Sequence, residues 1–323
     1  MMRLERPTLE DIFRARRRIQ PYVVRTPLHH YPLLSRLLGF EAYVKHENYQ
    51  YTGAFKVRGG VNLISQLSRE ERMRGVITAS TGNHGQSIAY ASRLFGVDAY
   101  ICVPEAANPD KVEAIRSLGA TIIAWGRDFE EARLNAERLA EERGYRYIHS
   151  GNEPHLIAGV GTIGLEIVED LPELDAVIVP VGGGSGAAGI GTVIKAVCPE
   201  AEVIAVQAER APSVYLSWRR GEIVETESAD TLADGLATRR AFELPLEIMR
   251  DHVDEFVLVS EEEIKHAIRL YVERAHTIAE GAGAASLAAG FKLRDRLKGK
   301  RVVMILSGGN ITAKMLKEIL CGG

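Results

Sequence analysis

Lys56 is the residue whose neighbours best equip it for covalent chemistry. The run Thr52-Gly53-Ala54-Phe55-Lys56-Val57-Arg58-Gly59-Gly60 sets one lysine among small residues, beside an aromatic ring, just before a helix. A lysine held away from water in such a place has a lowered pKa, so its amine can attack a carbonyl to form a Schiff base and later act as a base. A lone lysine is ordinarily a surface charge, and the company matters more than the residue. That company is three glycine-rich segments, Ser80-Thr81-Gly82-Asn83-His84-Gly85, Gly182-Gly183-Gly184-Ser185-Gly186 and Ser307-Gly308-Gly309-Asn310, each directly after an apolar run. One glycine after a strand is usually only a tight turn; three of them suggest a shared crevice. The middle segment suits a phosphate: its glycines let backbone N–H groups approach an anion, the following helix contributes its positive end, and Ser185 adds a hydroxyl.

A rival reading uses the same glycines. Gly184 to Gly189 also spells G-x-G-x-x-G, and Glu209 lies about 20 residues further on, as a dinucleotide site would require. By itself that pattern would fit a nicotinamide-dependent oxidoreductase. Lys56 and the Ser80 to Gly85 loop argue against it, because hydride transfer needs no such lysine. A non-enzymatic ligand-binding protein is the other competing class.

These residues must be positioned by the elements around them. Short β-branched runs at 41–45, 75–80, 98–103, 121–125, 145–149, 176–181, 202–206, 256–259 and 301–306 read as strands. Amphipathic stretches at 8–20, 33–38, 109–118, 129–143, 186–197, 213–220, 261–276 and 313–320, with others ending near 95 and 169, read as helices. The alternation predicts an α/β fold with open, mainly parallel sheets and helices on both faces, whose ligands gather at strand C-termini. Thr8 is an expected N-cap, and Glu261-Glu262-Glu263 an expected acidic helix start.

Composition limits the partners. The 323 residues are 46% hydrophobic and 26% charged, enough for two domains with substantial cores, and the net charge of −3 comes from 40 basic and 43 acidic residues. Nucleic acid is not an expected partner, and the Arg14 to Arg18 patch reads as a solvated helix face. Cys102, Cys198 and Cys321 are far apart and form no CxxC pair, which suits a reducing compartment. The charged segment from Met1 to Gln20 lacks the apolar core of a signal peptide, and no run approaches the ~18 apolar residues of a membrane span. A cytoplasmic location is expected.

Taken together, the motifs resemble those of the fold-type II pyridoxal-phosphate enzymes, whose fold is that of tryptophan synthase β. Within them the chain is similar to the threonine dehydratase, serine dehydratase and serine racemase group. The likeness rests on Ala54-Phe55-Lys56-Val57-Arg58-Gly59, Ser80 to Gln86, Gly182 to Ser185 and Ser307 to Asn310, and covers nearly the whole chain in order. Ala158 to Glu166, Ala233-Asp234-Gly235 and Glu280 to Ala285 belong to the same pattern. The resemblance implies a large domain of residues 1–50 and 150–323 and a smaller inserted domain, 51–149, that closes over substrate. It implies pyridoxal 5′-phosphate joined to Lys56, with Phe55 beside the ring and Asn83 bonded to its 3′-oxygen. Gly182, Gly183, Gly184 and Ser185 would hold the phosphate, and Ser307 would face the pyridine nitrogen. Gly235 and Glu280 complete the cofactor set. Ser80, Thr81, Asn83 and His84 would receive the substrate carboxylate.

The implied reaction removes water and then ammonia from a β-hydroxy amino acid, L-threonine or L-serine foremost, leaving a 2-oxo acid. Lys56 would take the α-proton, and the cofactor phosphate would protonate the departing hydroxyl. Racemisation is the alternative, as is dehydration of 3-hydroxyaspartate or phenylserine. Three departures bear on this. Thr81 stands where racemases carry a serine base, Ala54 replaces a serine, and Ser185 replaces a fourth glycine. No metal is expected, since Gln207 and Ser213 occupy the places of acidic ligands and Glu209 alone is a poor hard-cation site. The chain stops at Gly323, soon after its last helix, so the regulatory domain of biosynthetic dehydratases is not expected. A homodimer is implied by the resemblance.

Overall fold

The computed structural model describes residues 4–322; Met1 to Arg3, where the charged N-terminal segment begins, and Gly323, on which the expected chain end falls, lie outside the described residues. The chain opens with α1 (Leu9–Ile19), β1 (Leu28–His30), α2 (Pro32–Leu38) and β2 (Glu41–His46). A second group follows: α3 (Lys56–Ile64), α4 (Arg69–Arg74), β3 (Val76–Ala79), α5 (Asn83–Phe95), β4 (Ala99–Val103), α6 (Pro109–Ser117), β5 (Thr121–Ala124), α7 (Phe129–Arg143) and β6 (Arg146–Tyr147). The third comprises α8 (Pro154–Asp170), β7 (Ala176–Pro180), α9 (Ser185–Val197), β8 (Glu202–Ala208), α10 (Ser213–Arg220), α11 (Glu243–His252) and β9 (Glu255–Val259). It ends with α12 (Glu261–Ala275), α13 (Gly281–Lys292), β10 (Arg301–Leu306) and α14 (Ala313–Cys321).

Two sheets result. The larger runs β1-β2-β10-β7-β8-β9 and the smaller β5-β4-β3-β6. Every pairing is parallel except that of β1 with β2. Strand alternation explains why both faces of the larger sheet need cover. Ile178, Ile204 and Met304 enter one apolar cluster with α12 and α13, while their neighbours Val177, Val203 and Val303 enter another with α8, α9 and α11. The smaller sheet is covered in the same way, Ile101 facing α3 and α5 and Cys102 facing α7.

Helix starts follow their chemistry. Thr8, Ser68 and Ser260 each form a capping box with the acidic residue three positions on, so the Glu261 to Glu263 run is the first turn of α12, as expected. The arginine patch of α1 is only partly a solvated face: Arg16 pairs with Glu169 of α8, and Arg18 donates to Asn62 Oδ1 of α3 at 3.0 Å. Four elements were not legible beforehand, namely β1, α4, α11 and α13, and the expected strand at 145–149 forms ladder bonds only over Arg146–Tyr147. Helix α13, Gly-Ala-Gly-Ala-Ala-Ser-Leu-Ala-Ala-Gly-Phe-Lys, is buried over its first ten residues and so has no polar face to give it away.

Helix α8 ties the halves together. A Cβ at Gly159 would sit 2.5 Å from the Arg58 carbonyl, and one at Gly189 of α9 would sit 2.6 Å from the Ile157 carbonyl. Backbone therefore lies against backbone between α3, α8 and α9, a contact that only glycine permits.

Beneath that contact is a buried ion network. Arg58 makes two-pronged bonds to Glu47 (Nε to Oε2 and Nη2 to Oε1, both 2.8 Å) and to Glu166 (Nη1 to Oε1, 2.6 Å; Nη2 to Oε2, 2.9 Å). Lys45 Nζ donates to Glu166 Oε2 and to the Thr26 carbonyl, each at 2.6 Å, and Thr26 Oγ1 donates to Glu47 Oε1 at 2.6 Å. Two cations face two anions, all buried.

Candidate active site

Lys56 is the first residue of α3, not the residue before it, and its segment is pinned to the end of β10. The Phe55 N–H donates to the Ser307 carbonyl at 3.0 Å, Ala54 bridges Gly308, and the Gly309 N–H donates to the Gly53 carbonyl at 2.9 Å. From there Lys56 Nζ reaches Ser185 Oγ at 3.0 Å and the Ser150 carbonyl at 3.4 Å, with Nζ 5.3 Å from the Phe55 ring centroid. Burial lowers the amine to about 8. Among the described residues no carboxylate lies within bonding distance to hold its proton, unlike Lys45.

Ser185, itself buried, opens α9, and Gly184 before it has φ +87°, a left-handed turn that an L side chain resists. The outer side of this loop is closed by packing. A Cβ at Gly182 would lie 2.0 Å from the Gly235 carbonyl, and one at Gly183 would lie 2.6 Å from Phe242 Cε2. The first N–H groups of α9 lack intrahelical acceptors by geometry, as at any helix start. This loop is shaped for an anion rather than for a side chain.

The Ser80 to His84 loop ends β3 and begins α5. Ser80 Oγ accepts from the Gly82 N–H at 3.2 Å, and Thr81 is half-buried. Asn83 Nδ2 donates to Glu280 Oε1 at 2.7 Å, while Asn83 Oδ1 accepts from Asn310 Nδ2 at 2.7 Å. The His84 ring turns inward instead: Nε2 is 3.1 Å from Thr78 Oγ1, which itself donates to the Ile148 carbonyl at 2.7 Å. Since the Thr78 proton is committed, His84 Nε2 carries the hydrogen, and burial, with the Lys56 and His149 charges, drives the ring down to about 3. His84 is neutral, and its side chain does not join the loop's polar face.

The lysine and all three glycine-rich segments thus meet: Lys56 touches Ser185, Phe55 touches Ser307, and Asn83 touches Glu280 and Asn310. Gly235 enters through Gly182. What was not legible is how these segments are held: Glu47 and Lys45 carried no signal, and the bonds from Arg58 to Glu166 and from Asn83 to Glu280 and Asn310 span more than a hundred residues. The places considered for metal ligands are engaged elsewhere. Gln207 Oε1 accepts from the Tyr215 N–H at 3.1 Å, Ser213 Oγ donates to the Thr238 carbonyl, and Glu209 pairs with Lys292 at 3.3 Å.

Residues 19–308 match the family described as pyridoxal-phosphate dependent enzymes. The chain is 47% identical over 316 residues to the L-threonine ammonia-lyase of Thermotoga maritima, covering 98% of this chain and 79% of that one. It is 42% identical over 317 residues to the catabolic L-threonine dehydratase of Staphylococcus aureus, covering 97% and 92%. Among solved structures, maize serine racemase superposes with a TM-score of 0.93 at 32% identity, covering 98% of each chain. The processed threonine deaminase isoform 2 of Solanum lycopersicum superposes with a TM-score of 0.90 at 34% identity, covering 99% of this chain and 96% of that one. The chain belongs to the pyridoxal-phosphate-dependent enzyme family, and its cofactor is pyridoxal 5′-phosphate. That excludes the dinucleotide reading, and Gly189, the last glycine of its motif, serves helix packing.

The residues present fit this cofactor on structural grounds. They offer an amine with burial-lowered affinity for its proton, a glycine cradle whose outer side a Cβ would overfill, and an amide, Asn83, held between two fixed partners.

Proposed function

We propose that this protein is an ammonia-lyase that dehydrates and deaminates a β-hydroxy amino acid, L-threonine first, to a 2-oxo acid and ammonia. The single observation that carries this is the partly buried Lys56 amine, aimed at Ser185 with no carboxylate partner among the described residues; the identity to threonine ammonia-lyases selects the substrate class. Pyridoxal phosphate supplies an electron sink for the pair left at Cα when the α-proton departs. Lys56 first serves as the nucleophile that anchors it and then as the base that takes the α-proton. Gly182 to Ser185 would hold the phosphate with backbone N–H groups and the Ser185 hydroxyl. Ser307, Phe55 and Gly235 would enclose the ring, and Asn83, bonded to Glu280, would donate to its 3′-oxygen. Ser80, Thr81, Asn83 and His84 receive the substrate carboxylate at the start of α5, His84 through its backbone N–H because its ring is committed to Thr78.

Residues 51–149 act as a small domain that closes over the substrate. The ion pair between Lys111 of α6 and Asp234, beside Gly235, supports this by joining the small-sheet side to the phosphate side. A homodimer is the expected assembly. No helix among the described residues is long and apolar enough to cross a membrane, and the three cysteines are free, which supports a reducing cytoplasm.

Incubation with L-threonine should release 2-oxobutyrate and ammonia in equal amounts; no oxo acid from a panel of β-hydroxy amino acids would overturn the proposal. Racemisation is a second reading, favoured by the Thr81 hydroxyl and the likeness to serine racemase, and D-enantiomer formation in deuterated water tests it. Cofactor loading gives a pH signature. Because the lowered pKa leaves the amine neutral above about 8, attachment to the apo-protein should accelerate as pH rises through that value. Stopped-flow growth of the visible band measures it, and a midpoint at the ordinary lysine value of about 10.4 would contradict the desolvated amine.

A further inference from the structure

We infer that Glu280 and Asn310 are positioning residues that fix the rotation and polarity of the Asn83 side-chain amide, so that it meets the cofactor as a donor. The inference rests on the reading of Asn83 as a cofactor contact and assigns to the other two a role exercised through it.

The orientation of an asparagine amide is set by its partners, since its oxygen and nitrogen are nearly alike in shape. Here one end of the chain of bonds is an obligate acceptor, and the other, Glu280, offers an acceptor oxygen in either protonation state. Asn310 Nδ2 donates to the Thr52 carbonyl at 2.8 Å, which has no hydrogen to give in return. The same nitrogen donates its second hydrogen to Asn83 Oδ1 at 2.7 Å. Asn83 must therefore present its oxygen to Asn310 and its nitrogen to Glu280 Oε1, where the distance is 2.7 Å. A flipped Asn83 would set nitrogen against nitrogen and oxygen against a carboxylate oxygen. One Asn83 Nδ2 hydrogen is spent on Glu280, and the other is left to offer an acceptor in the site.

The glycines of two motifs make room for this device. A Cβ at Gly308 would lie 2.5 Å from Glu280 Oε1, and one at Gly53, whose φ is +68°, would lie 2.5 Å from Asn310 Oδ1. The Glu280 N–H also donates to the Gly308 carbonyl at 3.1 Å, locking the carboxylate's backbone to the loop it serves. Burial pushes the Glu280 carboxyl up to about 7, against the lowering pull of Asn83 and Lys111. Either protonation state keeps an oxygen lone pair for Asn83, and so does the carbonyl of a glutamine.

The test is a titration of the apo-protein with pyridoxal phosphate, read as affinity and as the position of the visible band. Glu280→Ala and Asn310→Ala should each weaken affinity about tenfold, the scale of a lost hydrogen bond to a charged group. Both should move the band in the direction that Asn83→Ala moves it, while Glu280→Gln keeps both readouts near wild type. In the Asn83→Ala background, Glu280→Ala should add nothing. If Glu280→Ala shifts the band equally in both backgrounds, or leaves the band and the affinity unchanged in an otherwise wild-type chain, positioning through Asn83 is wrong. If Asn83→Ala itself changes neither readout, the Asn83 contact falls and this inference with it. Thermal melts of the apo-proteins identify any variant that fails to fold, in which case Asn310→Ala and Glu280→Gln carry the comparison.

Discussion

Lys56→Ala should abolish 2-oxo acid release, lowering turnover at least about 10⁴-fold, because one side chain supplies both the anchoring nucleophile and the α-proton base. Lys56→Arg should do no better: a guanidinium keeps its proton and cannot attack a carbonyl. Lys45 is an internal control, since its pKa is also lowered by burial, yet it donates to Glu166 and the Thr26 carbonyl and faces no crevice. Borohydride reduction of the holoenzyme followed by peptide mapping should place the cofactor on Lys56 alone. Label on Lys45 or any other lysine, or turnover by Lys56→Ala within tenfold of wild type, would refute the assignment.

Arg58→Ala should destabilise the protein by about 3–5 kcal/mol in urea unfolding, the range for breaking a buried ion pair and stranding its partners. The loss here strands two carboxylates, Glu47 and Glu166, with only Lys45 opposite them. Burial would raise Glu166, but Arg58 and Lys45 outweigh it and hold the carboxyl below its usual range. A depressed carboxyl contributes stability above its unfolded-state value of about 4.3, and that contribution is lost as pH falls through the folded value. The gap between wild type and Arg58→Ala should therefore be widest near neutrality and narrow below about pH 4. Arg58→Lys should recover only part, because an ammonium cannot fork to two carboxylates. A variant within about 0.5 kcal/mol of wild type at pH 7 would show that the network is not carrying stability.

What the sequence revealed and what it hid divide along a physical line. Periodic elements and the meeting of the glycine-rich segments were legible: α7 and β10 fall where their patterns put them, Lys56 reaches Ser185, and Phe55 bonds Ser307. Helix α13 was invisible because a segment buried all round carries no amphipathic signal. Strand β1 escaped because two of its three residues, His29 and His30, are exposed polar side chains on a sheet edge. The Arg58 network and the Asn310–Asn83–Glu280 chain escaped for a different reason. Glu166 stands 108 residues beyond Arg58, and Glu280 and Asn310 stand 197 and 227 residues beyond Asn83, so no local spacing records those bonds. His84 shows the limit of motif reading: its place in the loop was clear, but the inward turn of its ring toward Thr78 depends on packing.

The contact of α3 with α8 also decides how this gene could be shuffled with its relatives. Glu47, Arg58 and Glu166 form one charge set, and Gly159 fits only against the α3 backbone that it meets. Residues 45–66 and 153–169 are therefore one unit of descent, although the whole small sheet separates them in the chain. A single crossover between them yields a chimera whose arginine and carboxylate come from different parents. An exchange that enters after α3 and leaves before α8 carries the small sheet across as a cassette and keeps both halves of the unit together.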